Sequence, residues 1–533
     1  MKTRLNPLIL RYASARLRPR PLIFRLLATL IVVSFAFFMT FLLAREQADL
    51  DTVAAARGTL IPLIFIQGIL LMLMGTGAVA SGITQEKLDG VLDYQRMTPM
   101  PAWKKVLGYL FGLPVREYAM FAVTLPFLAY ALIRGAVPFG AWAPFYLLFF
   151  SGVWLYHMTG FAAAMITRRW RWAARITQGM VLVLYLFLPQ LSHLGIVFFE
   201  YLTVRPALAQ FILPLLRGGV EAYPELLARL GDRDVPFFQW GISSAVFALI
   251  LQGALIALFY RMIERKWNRE SAPALGKISG SVAFFAVIFT ALGNLWPRVT
   301  TIGESGPAGD IAALVAVPLV FGLLGLFAGL LILRVICPER MDFRRGLLRQ
   351  RKFGWTRLPW WYDETSARAC TVAFAVVLAG VLYFMQRTLY GRMGGSALDF
   401  DFSAVPLWFL PLVCGLTLVY FHSTREYLGD KNQLLLGLLV WIAPILLGLV
   451  LTAASLELRT AAYFLFALSP WGLTILGGTA PLALVTGEAA EDLARLAQAR
   501  MFGLIAMLAL TLYFQARLWL WQTRAHKELS GSG

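Results

Sequence analysis

The chain has 533 residues, 59% of them hydrophobic and only 14% charged, with a mean hydropathy of +0.69. A soluble domain carries about a quarter charged residues, so that class is excluded. The ~10-residue alternating segments of a spanning β-barrel are also absent. Many apolar runs near 20 residues predict an all-α polytopic membrane protein.

Residues 1–20, MKTRLNPLILRYASARLRPR, carry six basic and no acidic residues beside Leu5, Leu8, Ile9, Leu10 and Tyr12. That pattern predicts an amphipathic helix lying on the inner leaflet. The apolar run that follows is too long for a cleaved signal peptide and lacks a small-residue cleavage site, so it reads as a signal anchor. About twelve spans are expected, at 22–44, 59–83, 114–133, 142–167, 176–198, 241–263, 279–297, 311–333, 367–386, 403–422, 433–454 and 501–521. The segments 59–83 and 311–333 hold no charge and anchor the count.

With the N-terminus placed inside, the inner segments hold 32 of the 48 Lys and Arg and the outer segments 13, while acidic residues divide 12 inside to 16 outside. This is the positive-inside distribution, with both termini cytoplasmic. The net charge of +19 is therefore a topology signal and a contact for anionic lipid, and nucleic acid is not an expected partner. Residues 461–485 are long enough to cross once more. Ser469-Pro470, Gly477-Gly478 and Pro481 interrupt them, and the prediction is a re-entrant hairpin on the outer side.

A short mixed-charge stretch follows the second span: ITQEKLDGVLDYQRMTPMPAW, residues 83–103. Glu86-Lys87-Leu88-Asp89 returns after the eighth span as Glu339-Arg340-Met341-Asp342. Thr98, Pro101 and Trp103 return as Thr356, Pro359 and Trp361, with five extra residues in between. The same place in each set of six spans predicts two parallel halves, 1–272 and 273–533, related by a pseudo-twofold axis along the membrane normal. Thr84 is expected to cap a two- to three-turn helix with Glu86 and Asp89 in its first turn and Leu88, Val91, Leu92 and Gln95 on one face. Thr98-Pro99-Met100-Pro101 ends it, because a residue before proline avoids the helical region. Such a helix is a docking surface; the plainer reading is a connector. Glu270, in the linker between the halves, is expected to be neutral to substitution.

Glu86-Lys87-Leu88-Asp89-Gly90-Val91-Leu92 followed by Thr98-Pro99 resembles a motif of the type-2 (ABC-2) permeases, the membrane subunits of ABC exporters. In that family it reads Glu-(Lys/Arg)-x-x-Gly-(Thr/Val)-Leu and then Thr-Pro. Asn6-Pro7 ahead of a basic helix is similar too. The resemblance is good over 1–270 and weaker over 271–533, where Gly90 has no counterpart. It implies six spans per half and a coupling helix seated in a groove of a separate ATPase. Glu86, Lys87, Leu88, Asp89, Gly90, Leu92, Thr98 and Pro99 would be ATPase-coupling residues, as would Glu339, Arg340, Met341 and Asp342. It also implies residence in a bacterial inner membrane. No phosphate loop is present, since ALGKIS (274–279) lacks the glycine spacing. No catalytic residue or cofactor is therefore expected in this chain; ATP and Mg would belong to the partner. Two coupling segments match the two grooves of an ATPase dimer, giving two ATPase copies per permease chain. The transported substrate is not specified by the sequence.

Arg116 and Glu117 open the third span, with Pro114 as its favoured start. They are candidates for an interfacial ion pair bracing the docking helix, or for a pathway. Gln190 and His193 in the fifth span are polar and are candidates for lining a path, with inter-helix hydrogen bonds as the plainer role. The four histidines (His157, His193, His422, His526) and the three cysteines (Cys337, Cys370, Cys414) show no metal-ligand spacing, so no metal site is expected. Two other functions compete. A single-chain secondary transporter needs buried ionisable groups, and the spans offer one acid, Glu117. A membrane-embedded transferase needs acids or histidines clustered at a membrane face.

Overall fold

The computed structural model describes residues 6–46, 50–166, 170–187, 196–216, 234–302, 307–393, 406–454, 459–479 and 490–530. The protein is an all-α polytopic membrane protein. Among the described residues ten helices are long and apolar enough to cross a membrane, or eleven if one bent pair counts as a span. A two-stranded hairpin, Asp234–Phe237 with Trp240–Ser243, is the β-structure among them. The chain divides into two compact units, Met1–Pro236 with Trp240–Ala272, and Phe237–Gln239 with Pro273–Gly533.

The first unit begins with α1 (Pro7–Arg16), capped by Asn6, whose side chain accepts from the Leu8 amide. Then come α2 (Pro19–Glu46), α3 (Thr52–Leu88), α4 (Val91–Met97), α5 (Ala102–Gly112), α6 (Val115–Arg134), α7 (Phe139–Ile166), α8 (Trp170–Leu186) and α9 (Ser244–Asn268). Helix α2 leaves Phe24, Ile31, Phe35 and Phe38 exposed, an apolar surface that hydrocarbon solvates. Helix α3 is mostly buried and is widened at Ile69–Gly75 by a π-helical segment. Small residues let α3 and α7 approach closely. A Cβ on Gly75 would lie 2.6 Å from His157 Nε2, and one on Gly160 would lie 2.9 Å from the Thr76 carbonyl oxygen.

Helix α1 does not simply lie on a surface. Leu8 and Tyr12 are buried in a core that also takes Val79 and Ile83 of α3, Leu92 of α4, Val106 and Tyr109 of α5, Phe161 of α7 and Trp267 of α9. Truncating a buried leucine in such a cluster costs about 2–5 kcal/mol. Six elements are therefore fastened together beside the first copy of the repeated segment.

The second unit runs α10 (Lys277–Thr300), α11 (Pro307–Ile336), α12 (Arg340–Lys352), α13 (Arg368–Met393), α14 (Phe409–Leu428), α15 (Asn432–Ala454), α16 (Arg459–Leu468), α17 (Pro470–Gly478) and α18 (Ala490–Ser530). Phe284 of α10 stacks on Phe374 of α13 with centroids 4.1 Å apart. Between α16 and α17 the chain turns by 117°. Ser469 caps α17 through the Gly472 amide and donates to the Trp441 carbonyl at 2.6 Å, while Pro470 occupies the first helical turn. The interruption expected in 461–485 is thus a bend, and residues 480–485 lie outside the described ones.

Two of the twelve expected spans differ from the rest. Segment 176–198 falls on α8, which ends at Leu186, and its apolar part, Ala174–Leu186, is short. Segment 403–422 falls on α14, whose last turns bury Ser423, Thr424, Arg425 and Glu426 and so carry charge into protein rather than lipid.

Candidate functional site

The first copy of the repeat is not one helix. Helix α3 continues without a break through Thr84, which is fully buried and donates to the Ala80 carbonyl at 2.8 Å. A hydroxyl bonded back to its own helix is satisfied there, so Thr84 does not cap the segment. The helix stops because Gly90 takes φ +72°, a left-handed conformation that favours glycine. Helix α4 then makes two turns, and Thr98 turns extended ahead of Pro99.

This register reverses the role expected of Glu86. It stands in the last turn of α3 and faces inward. Its Oε1 accepts from Tyr12 of α1 and its Oε2 from Tyr109 of α5, each at 2.6 Å, and Arg11 lies 3.3 Å away. The two phenol rings are 5.5 Å apart, and Tyr109 also packs on Phe161 and Trp267 at 5.7 Å. Burial, together with the neighbouring phenol and carboxylate, pushes the Tyr12 hydroxyl far above its ordinary range. Burial and Glu86 do the same to Tyr109. Both hydroxyls therefore stay protonated as donors. Glu86 is a fastening of α1, α3 and α5 and not an exposed docking residue.

The other members of the motif divide in the same way. Lys87 points back to the Met165 carbonyl at 2.9 Å and lies 3.6 Å from Glu270. Leu92 is buried, as is Gln95. Leu88 does not share their face as the sequence pattern predicts but is exposed, beside the exposed Asp89. Thr98 donates to the Gln95 carbonyl at 2.8 Å, and Pro99 is exposed. The outer face of α4 is Asp93, Tyr94 and Met97, with Tyr94 64% and Met97 78% exposed.

Three residues of this site were not singled out by the motif. Lys105 is buried under α4 and donates to the carbonyls of Gln95 at 2.6 Å and Thr98 at 3.0 Å; burial lowers its pKa. It holds the turn between α4 and α5. Arg96 pairs with Asp93, contacts the Lys266 carbonyl at 3.2 Å and lies 3.3 Å from Glu270. Glu270 is thus a bridge to both Lys87 and Arg96 and not a neutral linker residue. Its partial burial raises its carboxyl pKa, but Arg96 and Lys87 outweigh that and hold it below the usual range.

The second copy is built differently. Glu339 is the residue ahead of α12, is largely exposed, and reaches to 4.0 Å from Arg425. The Arg340 guanidinium lies over Tyr427 at 5.1 Å and Trp521 at 5.6 Å and donates to the Tyr427 carbonyl. Met341 is 62% exposed, and Asp342 pairs with Arg345 at 3.1 Å. Phe343 and Leu347 seat α12 on Ala525 and Trp521 of α18. Here the sequence-equivalent glutamate begins the surface helix, whereas Glu86 ends a buried one.

Helix α6 begins at Val115, directly after Pro114. Glu117 is 4% exposed, and its Oε2 and the Arg116 Nε have no hydrogen-bond partner among the described residues. Gln190 and His193 lie outside the described residues. His157 is fully buried, with Nε2 3.0 Å from the Leu71 carbonyl and Nδ1 3.3 Å from the Tyr118 hydroxyl. In the second unit a cleft of about 250 Å³ opens between Tyr420, Thr424, Gln433, Trp441 and Trp471. Its lining is mostly apolar, aromatic and aliphatic together, and suits an apolar group. Comparison with protein-family models, with curated proteins and with solved structures gives no match to this chain.

Proposed function

We propose that this chain is the membrane-spanning permease subunit of an ATP-driven export system of the type-2 ABC kind, working with a separate ATPase. The partner supplies ATP and Mg, in two copies per permease chain, and the complex sits in a bacterial inner membrane with both permease termini cytoplasmic. The observation that carries the reading is the build of α4. Its outer face offers Tyr94 and Met97, while its root is fixed to the spans by Leu92, Lys105 and the Arg96–Glu270 contact.

A short helix of this kind can transmit a push. Exposed aromatic and methionine side chains are favoured contacts at protein interfaces. Displacement of α4 passes through the Gly90 turn into α3, and through Glu86 into α1 and α5. In the first copy docking falls to Leu88, Asp89, Asp93, Tyr94 and Met97, with Glu86 acting behind them. In the second copy it falls to Glu339, Met341 and Asp342. Hydrolysis in the partner then drives repacking of the spans and movement of substrate.

The test is co-purification. An ATPase encoded beside this gene is co-expressed with the tagged permease, as wild type and as the Tyr94→Ala/Met97→Ala double variant. The variant should fold normally and retain less than a tenth of the ATPase, since removing two central contacts costs about 2 kcal/mol or more. Equal retention by both proteins overturns the docking role. A secondary transporter is the second reading, and the buried Glu117 with its unpartnered Oε2 favours it. Transport that persists without any ATPase would select that alternative.

A further inference from the structure

We propose that Cys337, His422 and Glu426 form a binding site for a zinc-class divalent transition-metal ion. Cys337 follows the last residue of α11, and His422 and Glu426 are one turn apart on α14. One donor atom from each, a thiol sulfur, an imidazole nitrogen and a carboxylate oxygen, lies within 4.8 Å of the other two. A tetrahedral Zn²⁺ with ligands at about 2.0–2.3 Å brings such donors to roughly 3.3–3.8 Å from one another, so a small closing movement completes the set. His422 Nε2 is already 3.2 Å from Glu426 Oε1. All three side chains are buried, at 5%, 1% and 2% exposure respectively.

The donor set selects the ion. Calcium and magnesium take oxygen ligands, and copper(I) prefers sulfur-rich sites; one sulfur, one nitrogen and one oxygen suit a borderline ion such as Zn²⁺. The surroundings provide the supporting hydrogen bonds such a site uses. The Ala367 amide donates to Glu426 Oε1 at 2.7 Å, and Ser366 Oγ and Gln522 Nε2 donate to Oε2 at 2.8 and 3.3 Å. Ser366 Oγ is also 3.4 Å from His422 Nε2, which leaves a hydroxyl or a water for the fourth position. On binding, the Cys337 S–H bond breaks, its proton leaves to solvent, and the sulfur lone pair forms the S–metal bond. The ion would clasp the end of α11 to the end of α14, with Cys337 two residues before the second repeated segment begins at Glu339, and Glu426 ties the Ser366-Ala367 segment to the same place. This inference stands apart from the proposed transport function, since its readout is metal content.

The experiment uses the full chain purified in detergent. It is stripped with chelator and titrated with Co²⁺, then with Zn²⁺. Wild type should bind one equivalent of Co²⁺ with a near-ultraviolet sulfur-to-cobalt absorption that Zn²⁺ abolishes. Cys337→Ser should lose that absorption, and His422→Gln and Glu426→Gln should weaken binding at least tenfold. Cys414→Ala, at a buried cysteine outside the cluster, should leave it intact. Wild type offers a reading that needs no variant: Zn²⁺ should slow alkylation of Cys337 and not that of Cys414. Absence of stoichiometric binding, or cobalt absorption and alkylation rates indifferent to Cys337, would mean that His422 and Glu426 are a buried ion pair only, and overturns the site.

Discussion

Glu86 gives the sharpest consequence of the geometry. Replacing it with alanine leaves the Tyr12 and Tyr109 hydroxyls buried without the acceptor each now has at 2.6 Å. A buried donor left unsatisfied costs about 1–3 kcal/mol, so the pair should lose roughly 2–5 kcal/mol. Arg11 adds little, because its side chain is 46% exposed. Glu86→Gln keeps one acceptor oxygen and should cost less than alanine. Glu86→Lys puts a cation beside Arg11 in the same buried place and should cost most, about 3–5 kcal/mol or more. The assay is thermal unfolding of the purified permease without partner, followed by size-exclusion monodispersity. The order of melting temperatures should be wild type, then glutamine, then alanine, then lysine. A Tyr12→Phe/Glu86→Gln double-mutant cycle should show coupling above about 0.5 kcal/mol. If Glu86→Lys melts with wild type and loses only the ATPase, Glu86 is an outward docking residue and the inward fastening is wrong.

Three further outcomes follow from other elements. Gly90→Val should destabilise by more than the roughly 1 kcal/mol typical of a forced left-handed residue, because a β-branched side chain at φ +72° is strained, and calorimetry of the two proteins reads it. Glu270 has a folded pKa below its unfolded value. Its stabilisation is therefore present above the unfolded pKa and disappears as pH falls through the folded one; the melting difference between wild type and Glu270→Gln should be seen at pH 7, begin to shrink near the unfolded carboxyl value of about 4.3 and be lost once the pH has fallen below the folded pKa. A single cysteine at Arg495, on α18, should be labelled by an impermeant reagent from the outer side, and labelling solely from the cytosol would overturn the topology assigned from charge.

Much of the architecture is legible in composition and punctuation. Charge-free runs locate α3 and α11, and Ser469-Pro470 marks the bend because a serine cap and a proline at the first turn both start a new helix. The inward turn of Glu86 is not legible. Tyr12 and Tyr109 lie 74 and 23 residues away in sequence, and nothing in a local pattern reports that their hydroxyls converge. The register error had a local cause. Thr84 resembles a cap, but a buried threonine can be satisfied by its own helix, and Gly90 is the residue that stops it. Cys337 and His422 are 85 positions apart, so ligand spacing could not pair them; the one local hint was His422 and Glu426 at a separation of four on one helix face.

Docking of a separate ATPase on α4 is tested most directly by a photo-crosslinking amino acid placed at Tyr94 in the intact cell, with Phe35 on the exposed face of α2 as the control. Illumination should join the Tyr94 position to a nucleotide-binding ATPase, identified by mass spectrometry of the adduct, and the Phe35 position should give none. An adduct at Phe35, or no ATPase adduct at Tyr94 while the tagged permease remains folded and in the membrane, would contradict the assignment.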